Sequence, residues 1–197
     1  MAKLQGTKTL QNLMKAFAGE SQARNRYTYF ASAANKEGFR QIEALFIETA
    51  DNEKEHAKIF YKHIVAGLGA ETAVPIEITA TYPAGLGNTQ QNLLSAAAGE
   101  HEEWTELYNT FADDADEEGF KDVAISFRMI AKVEKEHEER YLKLADNIAK
   151  GKVFKKDEKV LWKCRNCGFI VEGFAAPELC PACKHPLAHF EIACQNY

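Results

Sequence analysis

No cysteine precedes Cys164 in this 197-residue chain, and none of its stretches approaches the roughly 18 consecutive apolar residues that a membrane helix needs. A basic excess is missing too. With a formal net charge of -5 the chain has no general attraction for nucleic acid or for an anionic membrane surface, and neither is expected as a partner. The opening residues, Met1-Ala2-Lys3-Leu4-Gln5-Gly6-Thr7-Lys8, hold no apolar signal-peptide region, so a cytoplasmic location is expected. Thiols stay reduced there, which makes clustered cysteines metal ligands rather than disulfides. When cysteine does arrive it arrives in a group, Cys164, Cys167, Cys180, Cys183 and Cys194, and that abrupt change marks a domain boundary. At 46% hydrophobic and 27% charged, the chain can bury one large core and carry a small module beside it.

Periodicity and glycine stops predict four long helices, from about Thr7 to Gly38, Arg40 to Gly67, Thr89 to Gly119 and Lys121 to Gly151. Gly38-Phe39 and Gly119-Phe120 make tight corners, so the helices form two antiparallel hairpins. The stretch between Gly67 and Asn88, with Pro75 and Pro83, is too long for a tight turn and suits one crossover along the bundle. The expected division is a four-helix bundle over 1–151, a basic linker over 152–159 and a small cysteine domain over 160–197.

The hairpins repeat one another. Thr9, Leu13, Gly19 and Glu20 match Thr89, Leu93, Gly99 and Glu100 at an offset of 80, whereas Glu37-Gly38-Phe39 and Glu53-Lys54-Glu55-His56 match Glu118-Gly119-Phe120 and Glu134-Lys135-Glu136-His137 at an offset of 81. One residue has therefore been added between Glu100 and Glu118, and a helix absorbs such an insertion most easily as a π-bulge. The duplication predicts a pseudo-two-fold bundle.

Steps of seven residues put a glutamate on the apolar stripe of every helix: Phe46-Glu53-Phe60, Phe127-Glu134-Tyr141, Leu13-Glu20-Tyr27 and Leu93-Glu100-Leu107. Buried carboxylates that close together repel, so either protons or a cation must neutralise them. One Glu from each of two helices plus Glu-x-x-His from each of the other two is the ligand set of dinuclear carboxylate bundles, here Glu20, Glu100, Glu53/His56 and Glu134/His137. The alternative is a set of solvated glutamates, or a buried salt-bridge network with Arg24 or Arg128. Oxygen and imidazole ligands fit iron or manganese, with zinc open on ligand type. Four glutamates balance two ferrous ions; two ferric ions call for more negative charge, which Glu103, one turn after Glu100, can supply unless it is a surface acid.

The spacing Cys164-x2-Cys167-x12-Cys180-x2-Cys183 is a four-thiolate tetrahedral site for iron or structural zinc. Gly168 lets the first knuckle fold its N–H groups toward sulfur. His185 and His189 lie outside a site that four thiolates already close, and Cys194 reads as a free thiol.

With these motifs in place the sequence resembles rubrerythrin over essentially its whole length. The resemblance implies an all-α ferritin-like bundle with a non-haem di-iron-oxo centre, a C-terminal rubredoxin-like Fe(Cys)4 domain and an oxidoreductase that reduces hydrogen peroxide to water against oxidative stress. It implies that Glu53 and Glu134 bridge two iron ions, that Glu20, Glu100 and His137 are terminal ligands, and that Glu103 binds in the diferric state and His56 replaces it on reduction. It sets Tyr27 and Tyr108 beside the ligands, a place compatible with aromatic core packing of both at the same time. It also implies a head-to-tail homodimer, in which electrons from a reduced donor protein or its reductase pass through one chain's Fe(Cys)4 to the other's di-iron site. Two other functions compete: a ferroxidase or iron-handling bundle, and a non-catalytic redox sensor with a zinc ribbon.

Overall fold

The computed structural model describes residues 3–69 and 71–196. Helices α1 (Lys8–Lys36) and α2 (Arg40–Leu68) form the first hairpin. The second joins α3 (Thr89–Glu102), a π-helical turn (Glu103–Leu107) and α4 (Tyr108–Glu117), which run on as one rod, to α5 (Lys121–Ala149). The π turn falls inside the interval where the shift of repeat offset requires an extra residue. Thr7 and Asn88 lie just outside their helices and cap them through side-chain oxygens, Asn88 in a capping box with Gln91.

The duplication shows in the corners. Gly38 and Gly119 both sit at φ 85°, a left-handed conformation that frees the chain to reverse. The glutamate before each glycine then caps the opposite hairpin. Glu118 accepts hydrogen bonds from the N–H of Lys8 (3.0 Å) and from the N–H and hydroxyl of Thr9 (2.8 and 2.6 Å), while Glu37 accepts from the N–H of Thr89 (3.1 Å). Each hairpin thereby satisfies orphan donors at the start of the other, where the helix dipole favours a carboxylate.

Two apolar plugs fill the bundle. One gathers Leu13, Phe60, Tyr108 and Phe127, and the other Phe30, Phe46, Leu93 and Tyr141. Each buried aromatic contributes on the order of 2 kcal/mol, and the acidic residues lie in the layer between the plugs.

The cysteine domain is a three-stranded antiparallel sheet of order β2-β1-β3, made of β1 (Lys155–Cys164), β2 (Ile170–Ala175) and β3 (Phe190–Ile192). The basic segment 152–159, expected as a linker, is therefore largely strand. Its charged side chains face water on an irregular stretch, with a register shift between Lys155 and Val160, so no alternating apolar pattern announces it. The domain rests on the first corner of the bundle: the Phe39 and Phe154 rings lie parallel with centroids 6.1 Å apart, and the Ala188 methyl lies 3.6 Å from where a Cβ on Gly38 would stand.

Candidate metal centres

Glu20, Glu53, Glu100 and Glu134 come from four different rods and are all essentially inaccessible to water, with His137 4% exposed beside them. Their ligand atoms form two groups, Glu20/Glu53/His56/Glu134 and Glu53/Glu100/Glu134/His137, within each of which the atoms lie within 4.8 Å of one another. Glu53 and Glu134 belong to both. His56 Nδ1 is 2.9 Å from Glu53 Oε2 and 2.9 Å from Glu134 Oε1, while His137 Nδ1 is 3.2 Å from Glu53 Oε1 and 2.8 Å from Glu134 Oε2. One oxygen of each shared carboxylate therefore faces each histidine, the geometry of two adjacent cation positions spanned by two bridges.

Charge supports the same reading. Burial, with the neighbouring carboxylates Glu134, Glu103 and Glu53, holds Glu20 well above the usual carboxylate range. Glu100 is raised by burial and by Glu53, Glu134 and Glu103. Burial pulls the imidazoles down, yet the carboxylates of Glu134 and Glu53 outweigh it and push His56 to about 10 and His137 to about 9. Glu53, despite burial, is lowered by those two imidazoles. The site demands positive charge, and without a metal it takes protons instead. Among the described residues, buried oxygens Glu20 Oε2, Glu53 Oε1 and both Glu134 oxygens, together with His137 Nδ1, accept or donate no well-formed hydrogen bond, although some stand at contact distance from one another. Atoms that crowd together without aligning as donor and acceptor are what a shared cation leaves. The residues fit a two-metal site. Arg128 pairs with Asp113 and Asp116 at the surface, which removes it from any buried salt-bridge network.

Two phenols complete the layer. Tyr27 donates to Glu100 Oε1 and Tyr108 to Glu20 Oε1, each at 2.5 Å, so each hairpin's tyrosine fixes the other hairpin's glutamate. Glu103 opens the π turn and belongs to neither ligand group but reaches the carboxylate of Glu100, half-buried at the wall of the site, and burial with the charges of Glu134 and Glu53 raises it well above the usual range. His56, not Glu103, sits among the converging atoms.

In the cysteine domain, Cys164 and Cys183 have sulfurs 3.8 Å apart and Cys167 and Cys180 3.7 Å. That is far beyond a disulfide and close to the edge, about 3.8 Å, of a tetrahedron with metal–sulfur bonds near 2.3 Å. The knuckles are near copies: Gly168 N–H bonds Cys164 O at 2.8 Å and Lys184 N–H bonds Cys180 O at 2.9 Å, with φ 80° at Gly168 and 60° at Lys184. Lys184 has no glycine-like signature in sequence; only the likeness of the two knuckles could have indicated it. The backbone N–H of His185 draws Cys183 down to about 6, while Cys167, in spite of the Phe169 N–H, is pushed up to about 12 by the thiols of Cys183, Cys180 and Cys164. His185 and His189 pack edge to face with ring centroids 4.8 Å apart, outside the sulfur cluster, and Cys194 is exposed and without a disulfide partner among the described residues.

The family model for rubrerythrin matches residues 11–145, and that for the rubrerythrin rubredoxin-like domain matches residues 162–191. The chain belongs to the rubrerythrin family. It is 60% identical over 198 residues to a rubrerythrin of Clostridium perfringens (strain 13 / Type A), with 100% of both chains covered. Among solved structures it is similar to nigerythrin in a partially reduced state, at 32% identity and a TM-score of 0.62 over 97% of this chain and 92% of that one. Its bundle also shares the ferritin-like fold of Desulfovibrio desulfuricans bacterioferritin, at 23% identity and a TM-score of 0.65 over 74% of this chain and 82% of that one. Rubrerythrins are iron oxidoreductases in general, and this chain carries both donor sets of the family: a carboxylate-histidine pair of positions and a four-cysteine rubredoxin-like site.

Proposed function

We propose that this rubrerythrin is a peroxidase that reduces hydrogen peroxide to two waters, consuming two electrons and two protons, with the electrons relayed from a reduced donor protein through the four-cysteine site. The observation that carries the proposal is the pair of donor groups sharing Glu53 and Glu134 in a dry layer beside a second, thiolate site in the same chain. Iron held by Glu20, Glu53, Glu100, Glu134 and the two histidines would supply the two electrons that cleavage of the O–O bond requires. The chain's own residues do the rest. Glu53 and Glu134 hold the two positions together, and Glu20, Glu100 and His137 close their outer sides. Tyr27 and Tyr108 keep the outer glutamates from swinging by binding one oxygen of each. Glu103, whose burial favours the protonated carboxyl, would give a proton to the oxygen that leaves, or would join the ligands in place of His56 when the centre is more positive. Neutral imidazole suits the reduced centre and the carboxylate the oxidised one.

Glu134 lies fifteen residues before the end of α5, so its own chain's cysteine domain begins about 22 Å away at roughly 1.5 Å per residue. That separation favours a head-to-tail homodimer, in which the thiolate site of one chain serves the partner's ligand layer. Analytical ultracentrifugation that finds only monomers at working concentration removes this part.

The test is anaerobic stopped-flow mixing of fully reduced protein with hydrogen peroxide or with oxygen, following both iron chromophores. Fast oxidation by peroxide and slow oxidation by oxygen is expected; the reverse order overturns the peroxidase reading in favour of an oxidase or ferroxidase.

A further inference from the structure

The crossover between the hairpins is mostly exposed, yet residues 79–83 form one wall of a cavity of about 270 Å³ between α1 and the rod made by α3, the π turn and α4. Gly19, Glu103 and Tyr108 also line it, and because Tyr108 donates to Glu20 the cavity lies against the edge of the ligand layer and offers a passage to it from solvent. Tyr82, 41% exposed, is where the crossover covers that cavity. Its hydroxyl donates to the carbonyl of Lys15 at 2.8 Å, and its Cε1 lies 3.6 Å from where a Cβ on Gly19 would be. Glu103 Oε1 lies 3.9 Å from the same point. The missing side chain at Gly19 thus lets an aromatic ring and the Glu103 carboxylate share one patch of backbone.

We propose that Tyr82 is a specificity-determining residue, its ring pinned across the passage beside Glu103 so that hydrogen peroxide passes and hydroperoxides carrying an alkyl group are refused. The inference rests on the peroxidase reading for its substrate. Hydrogen peroxide is little larger than a water molecule, which occupies about 30 Å³ of liquid. The cavity itself can hold a tert-butyl group, but where the ring, Gly19 and Glu103 meet at contact distance such a group goes further only by pushing the ring off Gly19 and breaking its hydrogen bond to Lys15. Steric misfit of even a single methylene changes rates by about 10–200-fold.

The experiment compares iron-loaded full-length protein with its Tyr82→Phe and Tyr82→Ala variants by two readouts. One is stopped-flow binding of azide and of phenol to the oxidised protein, seen in the visible charge-transfer bands they form with ferric iron. The other is kcat/KM for tert-butyl hydroperoxide against hydrogen peroxide. Tyr82→Ala should speed phenol association about tenfold while azide changes less than twofold, and should raise the tert-butyl-to-hydrogen-peroxide ratio about tenfold or more. Tyr82→Phe, which loses the anchor and keeps the ring, should fall between. Unchanged phenol association and an unchanged peroxide ratio in Tyr82→Ala overturn the proposal, as do equal gains for both peroxides. If Tyr82→Ala loses iron, unchanged phenol association in Tyr82→Phe overturns it. If the wild type reduces neither peroxide, the peroxidase reading falls, and the phenol and azide rates still decide whether Tyr82 guards the passage.

Discussion

Iron-free protein should lose stability steadily as pH rises from 6.5 to 10. Without metal, His56 and His137 hold protons in the fold up to about 10 and about 9, against 6.5 in an unfolded chain. A group whose folded value is raised stabilises fully below its unfolded value, and that contribution is lost as pH climbs through the folded one. The histidine contribution is therefore whole at pH 6 and gone above about 10. Glu20, Glu100 and Glu103, also raised, act in the same direction, whereas lowered Glu53 contributes above its ordinary 4.5 and does not vary across this window. Both imidazoles lean on the same two carboxylates, so together they contribute on the order of 5 kcal/mol. At roughly 2–4 °C per kcal/mol for a chain of this size, the melting temperature should drop by about 10–20 °C. The assay is calorimetry of chelator-stripped protein at fixed ionic strength, beside iron-loaded protein. In the loaded protein the stabilisation by metal should grow with pH, because an imidazole must shed its proton to bind. A flat melting temperature for the iron-free chain from pH 6.5 to 10, or parallel curves for the two forms, would refute the electrostatic reasoning.

Other perturbations separate the parts of the site. Glu103→Ala should keep near wild-type iron content while slowing oxidation by peroxide at least tenfold; complete loss of iron, measured by metal analysis, contradicts its exchange with His56. Tyr27→Phe and Tyr108→Phe each leave a buried carboxylate oxygen without its donor and should cost about 1–3 kcal/mol in urea unfolding of the loaded protein, so unchanged midpoints would mean that the phenols only fill space. Glu118→Ala should destabilise by about 1–2 kcal/mol as a lost helix cap. Glu37→Ala should cost less, because Glu118 receives three donors and Glu37 one.

The layer of glutamates and histidines was legible because buried charge on a heptad stripe is expensive, and a duplicated sequence repeats it in register. The π turn was legible for a related reason: a repeat whose offset changes from 80 to 81 must accommodate one residue, and Glu103–Leu107 does so. The reciprocal caps were only half legible. Thr9/Thr89 and Glu37/Glu118 appear as repeated pairs, but nothing in a one-dimensional repeat says that each glutamate serves the other hairpin. β1 was hidden because Lys155, Lys156, Asp157, Glu158 and Lys159 carry no period-two apolar signal. Tyr82 lies in a crossover without periodicity, so its seat on Gly19 emerges only when two distant segments meet.

Anomalous diffraction at the iron edge from crystals of the loaded protein addresses the central claim most directly. Two peaks between Glu53 and Glu134, one on the His56 side and one on the His137 side, and a third within the four cysteines are expected. A carboxylate layer without iron, or with those glutamates turned outward to water, would contradict the account.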